Sequence, residues 1–576
     1  MLSKRNIKIS LIRVIMVFLL PVMTYGQPDQ IGSITSGSAG FTSSNLPIVI
    51  LNTHGQVIVD EPKIIVDMGI IYNGPGKTNN ITDPLNNYNG KAAIEIRGST
   101  SQSFPKKQYS VETCDSLGNS VDVSLLGFPA ENDWILFAPY NDKSLMRDVM
   151  AYRLSNEMGR YASRSQYCEL VLNGQYMGVY VLFEKIKRNK NRVNVSKIGA
   201  ADSTGDNLTG GYIIKVDKDE GGVNAGWNSM YAPFPGAYQR VWYQYHYPDA
   251  EDITGSQMKY IQGYVREFEK VMFNHTAADT TDIYRYFDRD AAVDFFLLNE
   301  LSRNVDAYRL STFIHKNRDS KGGKLTMGPV WDFNLAFGNC DYYSAWVTSR
   351  WGLEFQLNDG YFKSTDGFLP PFWWRVIYND PSFFRRAAEK WQQYRTGVLS
   401  TARVNSLIDS LTVYLNESQK RNFLRWPVLG QYVWPNKFIG QTYDEEVKYL
   451  KNWITIRMNW MDLELNKYTS VEGNSNELLP RSVMLEQNYP NPFNSSTVIS
   501  YTLPAAAHIK LQVFDVLGRE VAVTEDSYKQ AGMYSNNIDF QRFKNAGASG
   551  VYFYTLTASS LRGETSVLTK RMLYLK

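Results

Sequence analysis

The stretch from Asn304 to Asn339 decides how the chain is interpreted. It begins Asn304-Val305-Asp306-Ala307-Tyr308-Arg309-Leu310-Ser311 and ends Gly328-Pro329-Val330-Trp331-Asp332-Phe333-Asn334-Leu335-Ala336-Phe337-Gly338-Asn339. Two short predicted strands and a polar turn separate Asp306 from Asp332. This layout suits a site in which one carboxylate accepts a proton while the other holds a metal. The alternative is that both aspartates are polar loop ends that cap strands.

Length and composition limit the other possibilities. A chain of 576 residues is too long for one core, so we expect two or three domains. Hydrophobic residues (43%) and aromatic residues (14%) are sufficient for a packed interior. The net charge is only +4, and no block of Lys and Arg stands out, so nucleic acid is not an expected partner.

The cysteines and histidines predict no zinc site. Cys114, Cys168 and Cys340 are widely spaced and allow at most one disulfide. The five histidines are scattered. A Ser-His-Asp site needs no adjacency in sequence, but no Gly-x-Ser-x-Gly motif supports one.

The N-terminus has the order of a secretory signal. Basic residues between Lys4 and Arg13 precede the apolar run Val14 to Met23, and the small residue Gly26 follows. The run is too short to span a bilayer, so residues 1–26 are predicted to be a signal peptide. No later stretch reaches membrane-spanning length, and we therefore expect an exported protein without a transmembrane segment.

Lys91 to Glu112 predicts two strands around a turn rich in hydroxyl groups, Gly98 to Ser103. Backbone amides in such a turn can approach phosphate oxygens, and Lys106 or Lys107 just beyond it can neutralise them. The alternative is a plain hairpin with a solvated lysine pair.

Helical and hairpin patterns fill the region up to residue 468. Apolar spacing predicts helices at Asp142 to Gly159 and at 256–274, 290–302, 380–394, 401–417 and 444–468. Asn173-Gly174 predicts a hairpin, and Gly210 to Asp217 predicts a strand. The aromatic segment from Trp346 to Trp374 is predicted to be core or a substrate-binding wall.

A change of composition predicts a second domain. Residues 469–482 have the composition of a linker between a mixed α and β domain, residues 27–468, and a tail, residues 483–576. Short alternating strands with turn residues predict a small β-sandwich in the tail.

Five ordered motifs carry a family resemblance. They are Arg97-Gly98-Ser99 with Phe104-Pro105-Lys106-Lys107 and Tyr109; Leu145-Met146-Arg147-Asp148; Asn173-Gly174-Gln175-Tyr176-Met177-Gly178-Val179-Tyr180 with Glu184; Asn304-Val305-Asp306; and Pro329 to Gly338. The order of parts resembles a protein-kinase fold, and the motifs closely resemble the CotH kinase family of secreted or spore-coat kinase-like proteins. The resemblance covers roughly residues 45 to 460.

The resemblance implies an α+β chain with an atypical protein-kinase-like catalytic domain. Such an enzyme transfers the γ-phosphoryl group of ATP to Ser or Thr of a protein, with Mg²⁺ or Mn²⁺ as the metal. By the family pattern Asp306 is the catalytic base and Asp332 holds the metal. The implied nucleotide-binding residues are Arg97, Ser99, Lys106 and Lys107, with Glu157 or Glu184 as the ion-pair partner of a lysine.

Two positions depart from the family pattern. Ser311 stands where protein kinases and many relatives carry an Asn for a second metal, and Asn334 stands where many relatives carry an Asp. Both keep an oxygen but lose charge or ligand strength, so we expect weaker metal binding. An inactive surface protein, structural or adhesive, on a pseudokinase fold is the alternative. A carbohydrate-active enzyme is a third option.

The tail has a resemblance of its own. Leu485 to Asn494 leads into short strands that continue to Lys570-Arg571-Met572. This segment resembles the C-terminal sorting domain of the type IX secretion system, and the predicted sandwich would then be immunoglobulin-like. The implied partners are the type IX secretion machinery and a protein substrate at the surface or outside the cell. The alternative is a plain binding sandwich.

Overall fold

In a computed structural model of the chain, the described residues are 40–218, 225–275, 283–469, 483–488, 490–503, 507–529, 532–543, 549–560 and 565–575. They divide into two compact units. One comprises the residues up to Asn379 together with Tyr394–Met458, and the other comprises Asp380–Gln393 and the residues from Asn459 onward. The predicted signal peptide, residues 1–26, and residues 470–482 of the predicted linker lie outside the described residues.

Seven strands of the first unit form a closed barrel. In spatial order they are Ile48–Asn52, Ile64–Ile71, Tyr88–Arg97, Gln108–Cys114, Asp133–Phe137, Gln175–Glu184 and Ser165–Leu172. The barrel closes where the last of these strands pairs in parallel with the first. Ile94, Val111 and Tyr180 belong to its buried core.

The predicted hairpin at Asn173-Gly174 is confirmed. It joins strands Ser165–Leu172 and Gln175–Glu184. Both turn residues have positive φ, 50° and 76°. A two-residue turn of this type requires positive φ at both positions, which Asn and Gly adopt readily.

The helix predicted at Asp142 to Gly159 spans Arg147–Glu157. It begins later than predicted because the Asp142 carboxylate organises a buried turn ahead of it. That carboxylate accepts hydrogen bonds from the backbone N–H groups of Ser144 and Arg147, at 3.0 and 2.8 Å, and it pairs with the Arg147 guanidinium. Gly159 follows the helix with φ 85°, as a helix stop requires.

A second, antiparallel sheet has five strands, in the order Gly226–Asn228, Trp242–Tyr247, Tyr212–Val216, Thr312–Lys316 and Leu325–Met327. The strand predicted at Gly210 to Asp217 is therefore confirmed. Helices Gly255–Asn274 and Arg289–Ser302 match the predictions at 256–274 and 290–302. Thr254 and Gln257 form a capping box on the first helix, and Asp288 caps the second.

Further helices are Gly205–Leu208, Gly352–Asn358, Gly360–Thr365, Trp373–Tyr378, Pro381–Arg395, Thr401–Leu415, Ser418–Arg425 and Tyr443–Asn466. Three of them confirm the helices predicted at 380–394, 401–417 and 444–468. Ser43–Ser44 and Asn79–Asn80 pair as two short strands. In the aromatic segment Trp351, Trp373 and Trp374 are at most 5% exposed, so these three belong to the core.

The tail is all-β, as predicted. Strands Met484–Leu485, Ser496–Leu503 and Gly532–Asp539 form one antiparallel sheet. Strands Glu520–Lys529, Ala507–Phe514, Gly550–Ser560 and Thr565–Tyr574 form another. Ile499 of the first sheet and Leu511 of the second share one buried core. The mixed α and β character of the chain is thus confirmed, while its kinase-like and immunoglobulin-like forms stay predictions.

Two further observations concern thiols and membranes. Cys114, Cys168 and Cys340 are all buried free thiols. Within the described part of the chain, no helix combines the length and the apolar character needed to cross a bilayer.

Candidate active site

Asp306 and Asp332 lie on two loops that a single side chain joins. Helix Arg289–Ser302 ends at Arg303, whose left-handed backbone (φ 45°) turns the chain into the first loop. The side-chain amide nitrogen of Asn304 donates a hydrogen bond to the backbone carbonyl oxygen of Asp332 at 3.1 Å. Its amide oxygen accepts from the Asp306 N–H at 3.2 Å. Asn304 therefore fixes the backbones of both aspartates relative to each other.

Helix Arg147–Glu157 holds the second loop. The Asp332 N–H donates to the Tyr152 hydroxyl at 3.0 Å, and the Phe333 N–H donates to Asp148 Oδ1 at 2.7 Å. Asp332 has φ 65°, a left-handed conformation that costs free energy outside glycine. These contacts hold the strained backbone, and the Trp331 ring stacks on Tyr152 with centroids 5.6 Å apart.

Asp332 is an exposed residue, and its charged neighbours include two acidic residues. Its pKa is raised to about 7, first because the surrounding protein removes hydrating water and then because Asp306 and Asp217 add like charge. Arg97 and Lys218 act in the opposite direction. Asn304 already joins the two loops, and a bound cation would relieve the repulsion between the Asp306 and Asp332 carboxylates.

Neighbouring cations neutralise the negative charge of Asp306 better than that of Asp332. Burial raises the pKa of Asp306, whereas the charges of Arg309 and Lys218 lower it. Arg309 Nη2 lies 2.7 Å from Asp306 Oδ1, and Arg309 Nη1 lies 2.8 Å from Asp366. The Arg309 side chain is only 3% exposed, so its position is fixed and it orients the Asp306 carboxylate.

Asp217 and Lys218 are site residues that sequence reasoning missed. They directly follow strand Tyr212–Val216, in which Val216 pairs with Thr312 in antiparallel register. That register brings Asp217 and Ser311, the next residues outward, to the same end of the sheet. The strand itself was predicted. Its charged end could have been recognised only if its pairing with the strand after Asp306 had been known.

Arg97 belongs to the same site. Its guanidinium lies 5.8 Å from the centroid of the Trp331 ring, and its charge lowers the pKa of Asp332. It ends strand Tyr88–Arg97, and the predicted turn follows with Ser99 exposed. Lys107 Nζ donates to the Gln102 carbonyl oxygen at 2.6 Å, which holds the lysine against this turn. Exposed residues of the turn therefore directly follow Arg97, the cation that acts on Asp332.

Lys106 has a different environment. It is 1% exposed, and its Nζ donates to the Val179 carbonyl oxygen at 2.5 Å and to Asn422 Oδ1 at 2.8 Å. The Tyr180 ring centroid lies 4.9 Å away. Burial lowers the pKa of Lys106 to about 7. A nucleotide could reach this ammonium group only if these contacts broke.

The two candidate glutamates also have other partners. Glu157 pairs with Arg403, whose Nε lies 3.1 Å from Glu157 Oε2. Glu184 is fully buried and accepts from the Tyr161 hydroxyl at 3.1 Å and from Arg164 Nη1 at 2.9 Å. Across the described ranges, neither glutamate forms an ion pair with either predicted lysine. The structure thus does not bring Glu157 or Glu184 together with Lys106 or Lys107.

Oxygen donors suited to a cation accompany Asp332. The Asn334 side-chain nitrogen donates to Asn141 Oδ1 at 3.1 Å, so its side-chain oxygen is the end that could bind a cation. Ser311 offers a half-buried hydroxyl group at the end of the neighbouring strand. Carboxylate, amide and hydroxyl oxygens suit Mg²⁺. No three acidic, His or Cys side chains of the described residues could hold a metal by themselves.

Comparison with known proteins connects this site to a family. A family model described as CotH kinase protein matches residues 94–461, which include Arg97 and both loop aspartates. A model described as a secretion system C-terminal sorting domain matches residues 487–570. A search of curated proteins found no match. The second match indicates type IX secretion to the cell surface or the outside.

Proposed function

Because the chain belongs to the CotH kinase protein family, we propose that it is an exported, ATP-dependent protein kinase. It transfers the γ-phosphoryl group of ATP to a Ser or Thr hydroxyl group of a protein at the cell surface or outside. One observation carries the proposal: Asn304 joins the loops of two aspartates, and their like charges act on each other.

Asp306 is the proton acceptor in this proposal. Phosphoryl transfer depends mainly on positioning and on charge neutralisation, and the acceptor hydroxyl group needs a base that is already oriented. Arg309 holds Asp306 Oδ1, which leaves Oδ2 to accept the hydroxyl proton. The same arginine lowers the pKa of Asp306 and thereby favours the ionised form that can act as a base.

Asp332 and Asn334 are the metal-holding residues, and Ser311 lies at the end of the neighbouring strand. Magnesium or manganese, when bound, supplies the neutralisation of phosphate charge that this reaction requires. Arg97 and Lys218 supply further positive charge on the same side, since both lower the pKa of Asp332. The exposed turn at Ser99, with Lys107 beside it, supplies backbone amides toward the phosphates.

The direct test is transfer from labelled ATP with Mg²⁺ or Mn²⁺, to the chain itself or to a generic acceptor protein. Asp332→Ala should abolish transfer and the metal-dependent stabilisation by ATP in a thermal melt. Asp122→Ala, which removes an exposed aspartate in the barrel domain, is the matched control. Full transfer by Asp332→Ala would show that the site is wrongly assigned.

The second candidate is a surface protein that binds nucleotide without transferring phosphate. Ser311 and Asn334 favour it, because each offers the metal a neutral oxygen in place of a stronger ligand. It predicts that ATP with metal raises the melting temperature of the wild-type chain while no phosphate is transferred under any tested metal.

A further inference from the structure

A cavity of about 240 Å³, the inner cavity, is lined in part by residues 326–330, the segment that leads into Asp332. Its walls come from the end of helix Arg147–Glu157, from helix Arg289–Ser302 and from the segment 326–330. Neither Asp306 nor Asp332 lines it. Its apolar surface comes mainly from Met158, Phe295, Leu298, Met327, Pro329 and Val330.

Arg160 and Arg192 both line this cavity, and Arg192 is already paired with Glu131 at 3.1 Å. Arg160 Nε lies 2.7 Å from Asp294 Oδ2, and Asp294 also accepts from the Tyr394 hydroxyl at 2.8 Å. The Arg160 side chain is 34% exposed, and its two terminal nitrogens form no hydrogen bond among the described residues. A guanidinium group anchored through Nε presents these nitrogens as a fork that matches a carboxylate. His315 also lines the cavity; burial lowers its pKa to about 4, so it adds no charge near neutral pH.

A second, wider cavity of about 670 Å³, the outer cavity, also has Arg160 in its wall. Arg289 and Lys324 line it together with Asp288 and Asp290. The Asp288 carboxylate already accepts from the N–H of Ala291 as a helix cap, at 3.0 Å. Arg160, Arg289 and Lys324 bring three positive charges to this outer cavity, and Asp288 and Asp290 in its wall, with Asp294 as the partner of Arg160, bring three negative ones. An anion would therefore be recognised here by hydrogen bonds to the terminal nitrogens of Arg160 rather than by an excess of positive charge.

We propose that the two cavities form one binding site for a small organic carboxylate with an apolar body. The carboxylate lies on the fork of Arg160, and the apolar body lies in the inner cavity against Phe295 and Val330. The inner volume is slightly below the range of about 300 to 1,000 Å³ that is usual for ligand pockets, so the ligand is small. This site is separate from the acidic loops and does not depend on the proposed kinase activity.

Titration calorimetry on the purified full chain tests the site with three probes. Phenylacetate has both parts of the proposed ligand, 2-phenylethanol lacks the charge, and acetate lacks the apolar body. Phenylacetate should bind at least about tenfold more tightly than either of the others. Equal binding of 2-phenylethanol or of acetate, or no binding of phenylacetate, would overturn the proposal.

Variants locate the binding within the molecule. Arg160→Gln should weaken phenylacetate binding about tenfold, and Arg385→Gln, at an exposed arginine far along the chain, should leave it unchanged. Because Arg160→Gln leaves Asp294 without its arginine, two variants that keep the ion pair serve as further tests. Ala291→Leu fills the inner cavity and should also weaken binding about tenfold. The double variant Arg289→Gln/Lys324→Gln should weaken it about threefold and remove most of its salt dependence. Wild-type affinity in all three would refute the assignment.

Discussion

Glu184 in the barrel and Asp332 in the loop are both acidic residues, but their surroundings differ. Glu184 is fully buried and surrounded by donors, with Arg164 at 2.9 Å and Arg192 at 3.6 Å. Asp332 faces solvent with Asp306 and Asp217 nearby, and its pKa is raised to about 7. In the barrel the Glu184 carboxylate is paired with arginines. In the loops the repulsion between carboxylates is left for a bound cation to relieve.

This difference separates structural from functional charges. A compensated buried pair holds the fold, and breaking it is costly because one charge is left buried alone. Like charges held together cost stability and are kept where the protein gains function from them. The two regions should therefore respond to mutation in opposite ways.

The largest expected effect is on turnover. Asp306→Asn removes the proposed proton acceptor and should lower the rate of phosphoryl transfer about 10²- to 10⁴-fold, the usual contribution of a general base. Binding of ATP with metal, followed by thermal melting, should persist because the metal-holding residues remain. Asp122→Asn is the control. A variant that keeps wild-type turnover would remove Asp306 from the mechanism.

The next largest effect concerns stability in the barrel. Glu184→Gln removes the carboxylate that Arg164 pairs with, while Arg192 keeps Glu131 at 3.1 Å, and should lower the free energy of unfolding by about 3 kcal/mol. The matched control is Glu157→Gln, whose ion pair with Arg403 is partly exposed and should cost under about 1 kcal/mol. Chemical denaturation followed by tryptophan fluorescence measures both. Equal losses in the two variants would contradict the distinction.

Local patterns predicted much of this fold. The apolar spacing of Gly255–Asn274 and the Asn173-Gly174 turn are signals between residues close in sequence, and both predictions were confirmed. The closure of the barrel was not predicted. It depends on parallel pairing of Ile48–Asn52 with Ser165–Leu172, and no local pattern specifies a pairing between strands so far apart.

The same limit applies to the site. Asp306 and Asp332 were predicted as a pair because the motifs around them are contiguous. Lys106 and Lys107 could not be told apart, because the helix Ser418–Arg425, which carries Asn422, lies far downstream and provides the contact that buries Lys106. Asp217 was missed for a similar reason, since only the sheet register brings it beside Ser311.

A moderate effect on nucleotide affinity tests which cations serve the site. Arg97→Gln should weaken binding of ATP with metal about tenfold, or about 1.4 kcal/mol, because it removes a positive charge that acts on Asp332. Lys106→Met should leave that affinity unchanged, since the Lys106 ammonium is bound inside the protein. Titration with a fluorescent ATP analogue measures both. If Lys106→Met binds ATP with metal more weakly than Arg97→Gln does, Lys106 belongs to the nucleotide-binding site.

The smallest expected effect is a pH dependence of stability that comes from Asp332. Its pKa is about 7 in the folded chain and about 3.9 when unfolded, so between these values the folded state holds the extra proton. The contribution of Asp332 is therefore complete below about pH 4 and is lost as the pH rises to 7. Asp332→Asn lacks this dependence and should be more stable than wild type at pH 8, by up to about 1 kcal/mol because the carboxylate is exposed and screened. Chemical denaturation of both proteins in EDTA at pH 5 and pH 8 measures the difference. If the wild type gains stability over Asp332→Asn as the pH rises, the two loop carboxylates do not repel each other and the contrast with the barrel fails.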